Sequence, residues 1–135
     1  MSNIHLLGGQ EMIQEASATV KKSNSDMILV GVTILTSLNE SNLVELGFNS
    51  SAEEIAIKLA KLGKQNGVDG VVCSIEDISG IKASLGGDFL SVTPGVRMSQ
   101  DNDDQKRSGS IYNAIQFGTD FVVVGREITQ AKNPE

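Results

Sequence analysis

The run Met27-Ile28-Leu29-Val30-Gly31-Val32-Thr33-Ile34-Leu35 constrains the fold more than any other stretch of this 135-residue chain. It is apolar without alternation. A strand with one wet face alternates apolar and polar residues, whereas a strand covered on both faces does not. Such a strand belongs in the middle of a parallel sheet, and parallel neighbours need crossover connections.

The rest of the chain supplies those crossovers. Ile4 to Leu7 forms a candidate strand that ends at Gly8-Gly9, and residues 10 to about 22 read as a helix with Met12, Ile13, Ala16 and Val20 on one face. Thr36-Ser37 ends the long apolar run, and a short helical piece follows around Asn39 to Leu46. Ser51-Ala52-Glu53-Glu54 has the form of a capping box, in which the Ser oxygen and the Glu carboxylate satisfy free N–H groups at a helix start. That helix is expected to bury Ile55, Leu59 and Leu62 and to stop at Gly67. Residues 68–73 read as a strand, and residues 74–85 as a helix with Ile78, Ile81 and Leu85 inward. Residues 89–93 form a further strand, broken by Pro94-Gly95. A polar loop spans residues 98–108, a helix residues 110–117, and a last strand residues 121–124 before Gly125-Arg126. The order is that of about five βα units in one domain over residues 1–135, with a parallel sheet and right-handed crossovers.

Composition removes several functions. A net charge of −6 argues against a general nucleic-acid binder, which needs clustered Lys and Arg to displace counterions. The dense basic spot, Lys106-Arg107, reads as part of a solvated loop. Aromatics are only 4% with no Trp, so Leu, Ile and Val must build the core. One cysteine allows no internal disulfide, and Cys73, within Val71-Val72-Cys73, reads as a small hydrophobe. His5 is the sole histidine and has no Cys nearby, so no metal site is expected. No stretch approaches the ~20 apolar residues of a membrane span, and Met1-Ser2-Asn3 lacks signal-peptide character. A cytoplasmic location is expected.

In parallel α/β folds ligands sit at the carboxyl ends of the strands. Two of those ends, Thr93-Pro94-Gly95-Val96-Arg97 and Gly125-Arg126, carry an arginine close to a glycine. Glycine lets backbone N–H groups approach an anion, and the guanidinium offers a planar fork for phosphate oxygens. On the residues alone, phosphate binding and ordinary surface arginines both remain open. The acidic run Asp101, Asp103 and Asp104 lacks the Gly and terminal Glu of a calcium loop and reads as a solvated loop. No serine lies in a Gly-x-Ser-x-Gly turn.

An ordered set of motifs is more specific. Thr33-Ile34-Leu35-Thr36-Ser37, Asp69-Gly70-Val71-Val72-Cys73-Ser74, Val92-Thr93-Pro94-Gly95-Val96-Arg97, Asp104-Gln105-Lys106-Arg107 and Val124-Gly125-Arg126-Glu127-Ile128-Thr129-Gln130 resemble, in order and spacing, the bacterial orotidine 5'-monophosphate decarboxylases. Ile4-His5-Leu6-Leu7-Gly8-Gly9 resembles that family's fourth strand and its exit. The resemblance spans nearly the whole chain. It implies a TIM (β/α)₈ barrel, usually a homodimer, that converts orotidine monophosphate (OMP) to uridine monophosphate (UMP) and carbon dioxide without a cofactor. By position, Arg97 and Arg126 would hold the substrate phosphate beside the Gly125 backbone, Gln105 would reach toward phosphate and pyrimidine, and Thr36 would contact the substrate. Met98 and Glu127 stand where prolines are common, and Glu127 places a carboxylate beside Arg126.

The family's catalytic Asp-x-Lys-x-x-Asp belongs to its third strand, and this sequence resembles the family from the fourth onward. Asp104-Gln105-Lys106 mimics it only superficially, because Gly109 stands where the second Asp belongs and the segment lies in the phosphate loop. The expectation is therefore a partial barrel of about five parallel strands, unclosed in a single chain and inactive alone, with no catalytic residue of its own. A closed barrel needs about 200 residues or more. Leaving a few hundred Å² of apolar surface wet costs roughly 5–10 kcal/mol at ~25 cal/mol per Å². Self-association or a complementing N-terminal half is thus expected, although two copies would bring ten strands. The alternative is a non-catalytic remnant that binds nucleotide phosphate, or a structural half-barrel that oligomerises.

Overall fold

The computed structural model describes residues 1–23, 26–97 and 109–133. The expected loop at 98–108, with Met98, the acidic run, Gln105 and Lys106-Arg107, lies outside the described residues.

Five strands form one parallel sheet in the order β1 (Ser2–His5), β2 (Leu29–Val32), β3 (Gly70–Val72), β4 (Leu90–Thr93), β7 (Phe121–Val122). A separate parallel pair, β5 (Val96–Arg97) and β6 (Gly109–Ser110), clasps the base of the 98–108 segment. The helices are α1 (Gln10–Lys22), α2 (Glu40–Glu45), α3 (Ala52–Gln65), α4 (Ile75–Leu85), α5 (Ile111–Gln116) and α6 (Arg126–Thr129), and a 3₁₀ turn occupies Leu6–Gly8. The expected α/β order of a partial, unclosed barrel is thus observed. The strands are shorter than their apolar runs, because Thr33 onward and Cys73 onward leave the sheet to start the next connection. The α6 turn at Arg126 was not expected from the sequence.

The register explains why the central strands are apolar throughout. β2 is buried at all of its residues. Successive residues point to opposite faces. Ile4, Gly31, Val71 and Ser91 lie in one row across the sheet, and Ile4 and Val71 join the main core against the helices. His5, Val32, Val72, Val92 and Phe121 form the next row, on the opposite face. In that row Val32 and Val92 are buried at 8% and 7% exposure, Val72 between them is half-buried, and both ends, His5 and Phe121 at 44%, are exposed.

Helix α3 has the capping box read from the sequence: Ser51 Oγ accepts from the Glu54 N–H at 3.2 Å, and Glu54 Oε2 accepts from the Ser51 N–H at 3.3 Å. Its buried stripe differs from the expected one. Ile55 is buried, but Leu59 and Leu62 are half-buried, and Ala52, Ala56, Ala60 and Gly63 complete the inner face. Small residues let the helix approach the sheet closely. The space between them takes Leu6, which is fully buried. A Cβ on Gly31 of β2 or on Gly63 of α3 would run into the Leu6 side chain. Leu85 is likewise half-buried, whereas Ile78 and Ile81 are buried as expected. A second, smaller core joins Ile34, Leu43, Ala52 and Ile55 under α2.

At the amino-terminal ends of the strands, one carboxylate ties the edge strand to the rest. Asp120 Oδ2 accepts from Lys82 Nζ at 2.7 Å, from the Ser91 N–H at 2.7 Å and from Ser91 Oγ at 2.9 Å. Lys82 Nζ also donates to the Gly87 and Phe89 carbonyls, both at 2.9 Å. Burial is the largest single influence on Asp120 and would raise its pKa. The bonds from Lys82 and Ser91 together outweigh it and hold the carboxyl below its usual range.

Two outcomes follow. Leu6→Ala should destabilise the chain by about 2–5 kcal/mol, because the notch between α3 and β2 cannot collapse around its glycines; urea unfolding midpoints measure this. Asp120→Asn should cost about 1–2 kcal/mol near neutral pH, since the pair is partly exposed. A carboxyl with a depressed folded-state pKa contributes stability above its unfolded value of about 3.9 and loses it as the pH falls through the folded value. The stabilities of the wild-type chain and Asp120→Asn, measured against pH, should therefore converge in acid.

Candidate functional site

The carboxyl ends of the five strands share one rim of the sheet, as parallel pairing requires. Beyond β2, Thr33 Oγ1 donates to the Val72 carbonyl at 2.9 Å, so it ties two strand ends together. Ile34 is buried, Leu35 is exposed and Thr36 is half-buried. Beyond β3, Ser74 occupies the N-cap of α4, and Asp77 Oδ2 accepts from the Ser74 N–H at 3.3 Å. The Ser74 hydroxyl is buried and makes no hydrogen bond among the described residues. Cys73 lies next to it in the core, and its thiol is pushed up to about 12, first by burial and then by the charges of Asp77 and Asp120, against the opposing effect of Lys82. Such a thiol stays protonated, in keeping with a packing role.

Beyond β4, Gly95 takes a φ of 73°, a left-handed turn that suits glycine, and the chain then enters β5. Arg97, half-buried, is paired in register with Ser110, the N-cap of α5, whose Oγ accepts from the Asn113 N–H at 3.2 Å. Beyond β7, Gly125 caps α6 and Arg126 opens it, exposed, with Glu127 half-buried behind it. β4 and β7 are neighbours in the sheet, so the two Gly/Arg loops leave adjacent strand ends. Thr36 follows β2, two strands from β4. The fold thus groups Arg97, Gly125 and Arg126 at one side of the rim and sets Thr36 further along it.

No group of three or more His, Cys, Asp or Glu capable of holding a metal occurs among the described residues. His5 is exposed at the end of β1. No helix among the described residues is long and apolar enough to cross a membrane. The Asp120–Lys82–Ser91 cluster went unnoticed in the sequence, where the only available signal was an aspartate immediately before a strand.

The profile of the Orotidine 5'-phosphate decarboxylase / HUMPS family matches residues 1–135. An orotidine 5'-phosphate decarboxylase of Neisseria meningitidis serogroup C is 42% identical over 136 residues, covering 99% of this chain and 55% of that protein. One from Hydrogenovibrio crunogenus is 42% identical over 135 residues, covering 99% of this chain and 57% of the relative. The crystal structure of orotidine 5'-phosphate decarboxylase from Lactobacillus acidophilus superposes with a TM-score of 0.82 at 33% identity, over 98% of this chain and 57% of that one. The orotidine 5'-monophosphate decarboxylase of Sulfolobus solfataricus, at 18% identity and a TM-score of 0.68, shares the fold. The chain spans a little over half the length of these relatives. With an uninterrupted profile match and a sheet that superposes on theirs, this chain belongs to the orotidine 5'-phosphate decarboxylase / HUMPS family.

Proposed function

We propose that this chain forms the phosphate-holding side of an orotidine 5'-monophosphate decarboxylase site and acts in the cytoplasm on a pyrimidine nucleoside monophosphate. The observation that carries the reading is the strand order: β4 and β7 lie side by side, so Arg97 and Gly125-Arg126 leave adjacent strand ends. A phosphate between them would meet two planar guanidinium forks and a glycine backbone, a donor set suited to a doubly charged phosphate. Gln105 would approach from the 98–108 segment and Thr36 from the β2 end, both as substrate contacts. No metal or organic cofactor enters the proposal.

The chemical step needs more than these residues. Decarboxylation builds negative charge on the pyrimidine ring, and a positioned cation and proton donor must meet it. The family's Asp-x-Lys-x-x-Asp does this, and the 135 residues contain no such sequence. Activity is therefore assigned to an assembly in which other polypeptide supplies that segment. A second reading, a nucleotide-phosphate binder without chemistry or a structural half-barrel, draws on the same fact.

Calorimetric titration with UMP tests the binding half. Arg97→Ala and Arg126→Ala should each weaken binding by roughly 10- to 100-fold, since a hydrogen bond to a charged group is worth about 1.5–3 kcal/mol. Retention of wild-type affinity by both variants would remove these arginines from the site. Carbon dioxide release from OMP should be undetectable with the chain alone and should appear on mixing with a segment that carries Asp-x-Lys-x-x-Asp. Turnover by the pure chain would defeat the assignment of chemistry to an assembly.

A further inference from the structure

The turn that ends α3 holds a reactive pair. Asn66 is the C-cap of the helix, and Gly67 follows it with a φ of 91°. The Gly67 N–H donates to the Lys64 carbonyl and the Val68 N–H to the Gly63 carbonyl, both at 3.2 Å, the paired bonds of a Schellman turn. The Asn66 side chain joins them: its Nδ2 donates to the Leu62 carbonyl at 2.7 Å. The Gly67 carbonyl in turn accepts from Oγ of Ser17, a buried residue of α1, at 2.9 Å. Glycine is required at 67, because a Cβ there would sit 2.5 Å from that Oγ and the positive φ disfavours any other residue. The fold therefore sets a glycine directly after an asparagine, and Asn66-Gly67 is the one Asn-Gly pair in the sequence.

From this placement we infer that Asn66-Gly67 is a covalent modification site, at which the asparagine converts to aspartate or isoaspartate when the α3 turn opens. The Gly67 backbone nitrogen gives up its proton and attacks Asn66 Cγ. A C–N bond forms, the Cγ–Nδ2 bond breaks, and Nδ2 leaves as ammonia after taking up a proton. Water then opens the cyclic imide at either carbonyl, so water is consumed and ammonia released with no redox change. Opening at one carbonyl gives aspartate. Opening at the other gives isoaspartate, whose main chain runs through the side-chain carbons. The glycine nitrogen has no neighbouring side chain to hinder its attack, which singles out Asn66 from the other asparagines of the chain.

The folded turn holds the reaction back, and the product undoes the turn. Ring closure needs the Gly67 nitrogen and the Asn66 Cβ on the same side of the Asn66 Cα–C bond, and an Asn66 ψ of 14° turns them apart. Both reacting groups are also bonded elsewhere, the Gly67 N–H to Lys64 and the Asn66 Nδ2 to Leu62. Residues 66–68 must leave those carbonyls first, a local opening that needs no unfolding of the sheet. Once formed, the new carboxylate cannot donate to the Leu62 carbonyl. It lies instead against the carbonyls of the last turn, at the negative end of the α3 dipole. Isoaspartate also lengthens the main chain by one carbon, which pulls the Schellman bonds and the Ser17 bond out of register and loosens α3 from α1. The site lies at the amino-terminal end of β3, on the rim opposite the anion-binding candidates, so nucleotide binding plays no part in it.

The test incubates the full chain in mildly alkaline buffer and follows each asparagine by mass spectrometry of its peptides, with isoaspartate separated from aspartate by chromatography. In concentrated urea Asn66 should convert at least tenfold faster than any other asparagine. In buffer it should convert measurably, at least tenfold more slowly than in urea. The buffer rate should stay constant at urea concentrations well below the unfolding midpoint, because a local opening exposes little surface. Ser17→Ala should raise the buffer rate at least threefold and leave the rate in concentrated urea unchanged. Asn66→Asp, which reproduces one product, should lower the urea midpoint near neutral pH. Should Ser17→Ala fail to fold, hydrogen exchange on the wild-type chain decides instead: the Gly67 and Val68 amides should exchange through an opening as insensitive to dilute urea as the conversion. The inference is overturned by another asparagine converting faster in urea, by no conversion of Asn66 in buffer, by a buffer rate that climbs with urea from the lowest concentrations, by a Ser17→Ala rate equal to that of the wild type, or by an unchanged midpoint in Asn66→Asp.

Discussion

Parallel pairing of strands whose residues are apolar toward both faces is the constraint on which the rest of this structure depends. Such strands cannot lie against water on either side. One side is covered by the chain's own helices, with Leu6 set between Gly31 and Gly63 so that α3 lies close over β2. On the other side, the row from His5 to Phe121 is buried at Val32 and Val92, half-buried at Val72 and exposed at both ends. Stability and the placement of the anion-binding candidates both follow from that one arrangement.

Parallel order also gathers the chemistry. Every strand ends on the same rim, so residues far apart in sequence converge without long-range design of individual side chains. Arg97 and Arg126 are separated by a segment, a helix and a strand, yet leave neighbouring strand ends. The opposite rim is occupied by structural polar groups. There Asp120, Lys82 and Ser91 bind the last strand to β4 and α4, adding side-chain bonds to the short ladder of β7.

The relatives are longer than this chain, and the proposed function divides the work in two. Holding a phosphate requires only donors at the strand ends and a backbone that can approach. Stabilising a carbanion requires charge fixed at a second place, on the far side of the pyrimidine ring. The first requirement is met by residue types present in this chain, and the second is met by a motif that its 135 residues do not contain.

Much of the fold was legible in the order of residues. Non-alternating apolar runs marked the strands, Ser51 and Glu54 marked a helix start, and Gly67 marked a helix end, because periodicity, capping and positive φ are local properties. The inner face of α3 was legible in part: Ile55 is buried and Leu59 and Leu62 pack half-buried against the core, but close approach to the sheet puts Ala56, Ala60 and Gly63 deepest. Arg97, Gly125 and Arg126 stood out as anion-binding types from sequence alone. That they share neighbouring strand ends and that Asp120 clasps the last strand were decided only by tertiary structure. Strand order, register and the face each side chain takes depend on contacts between residues distant in the chain, and no local pattern encodes them.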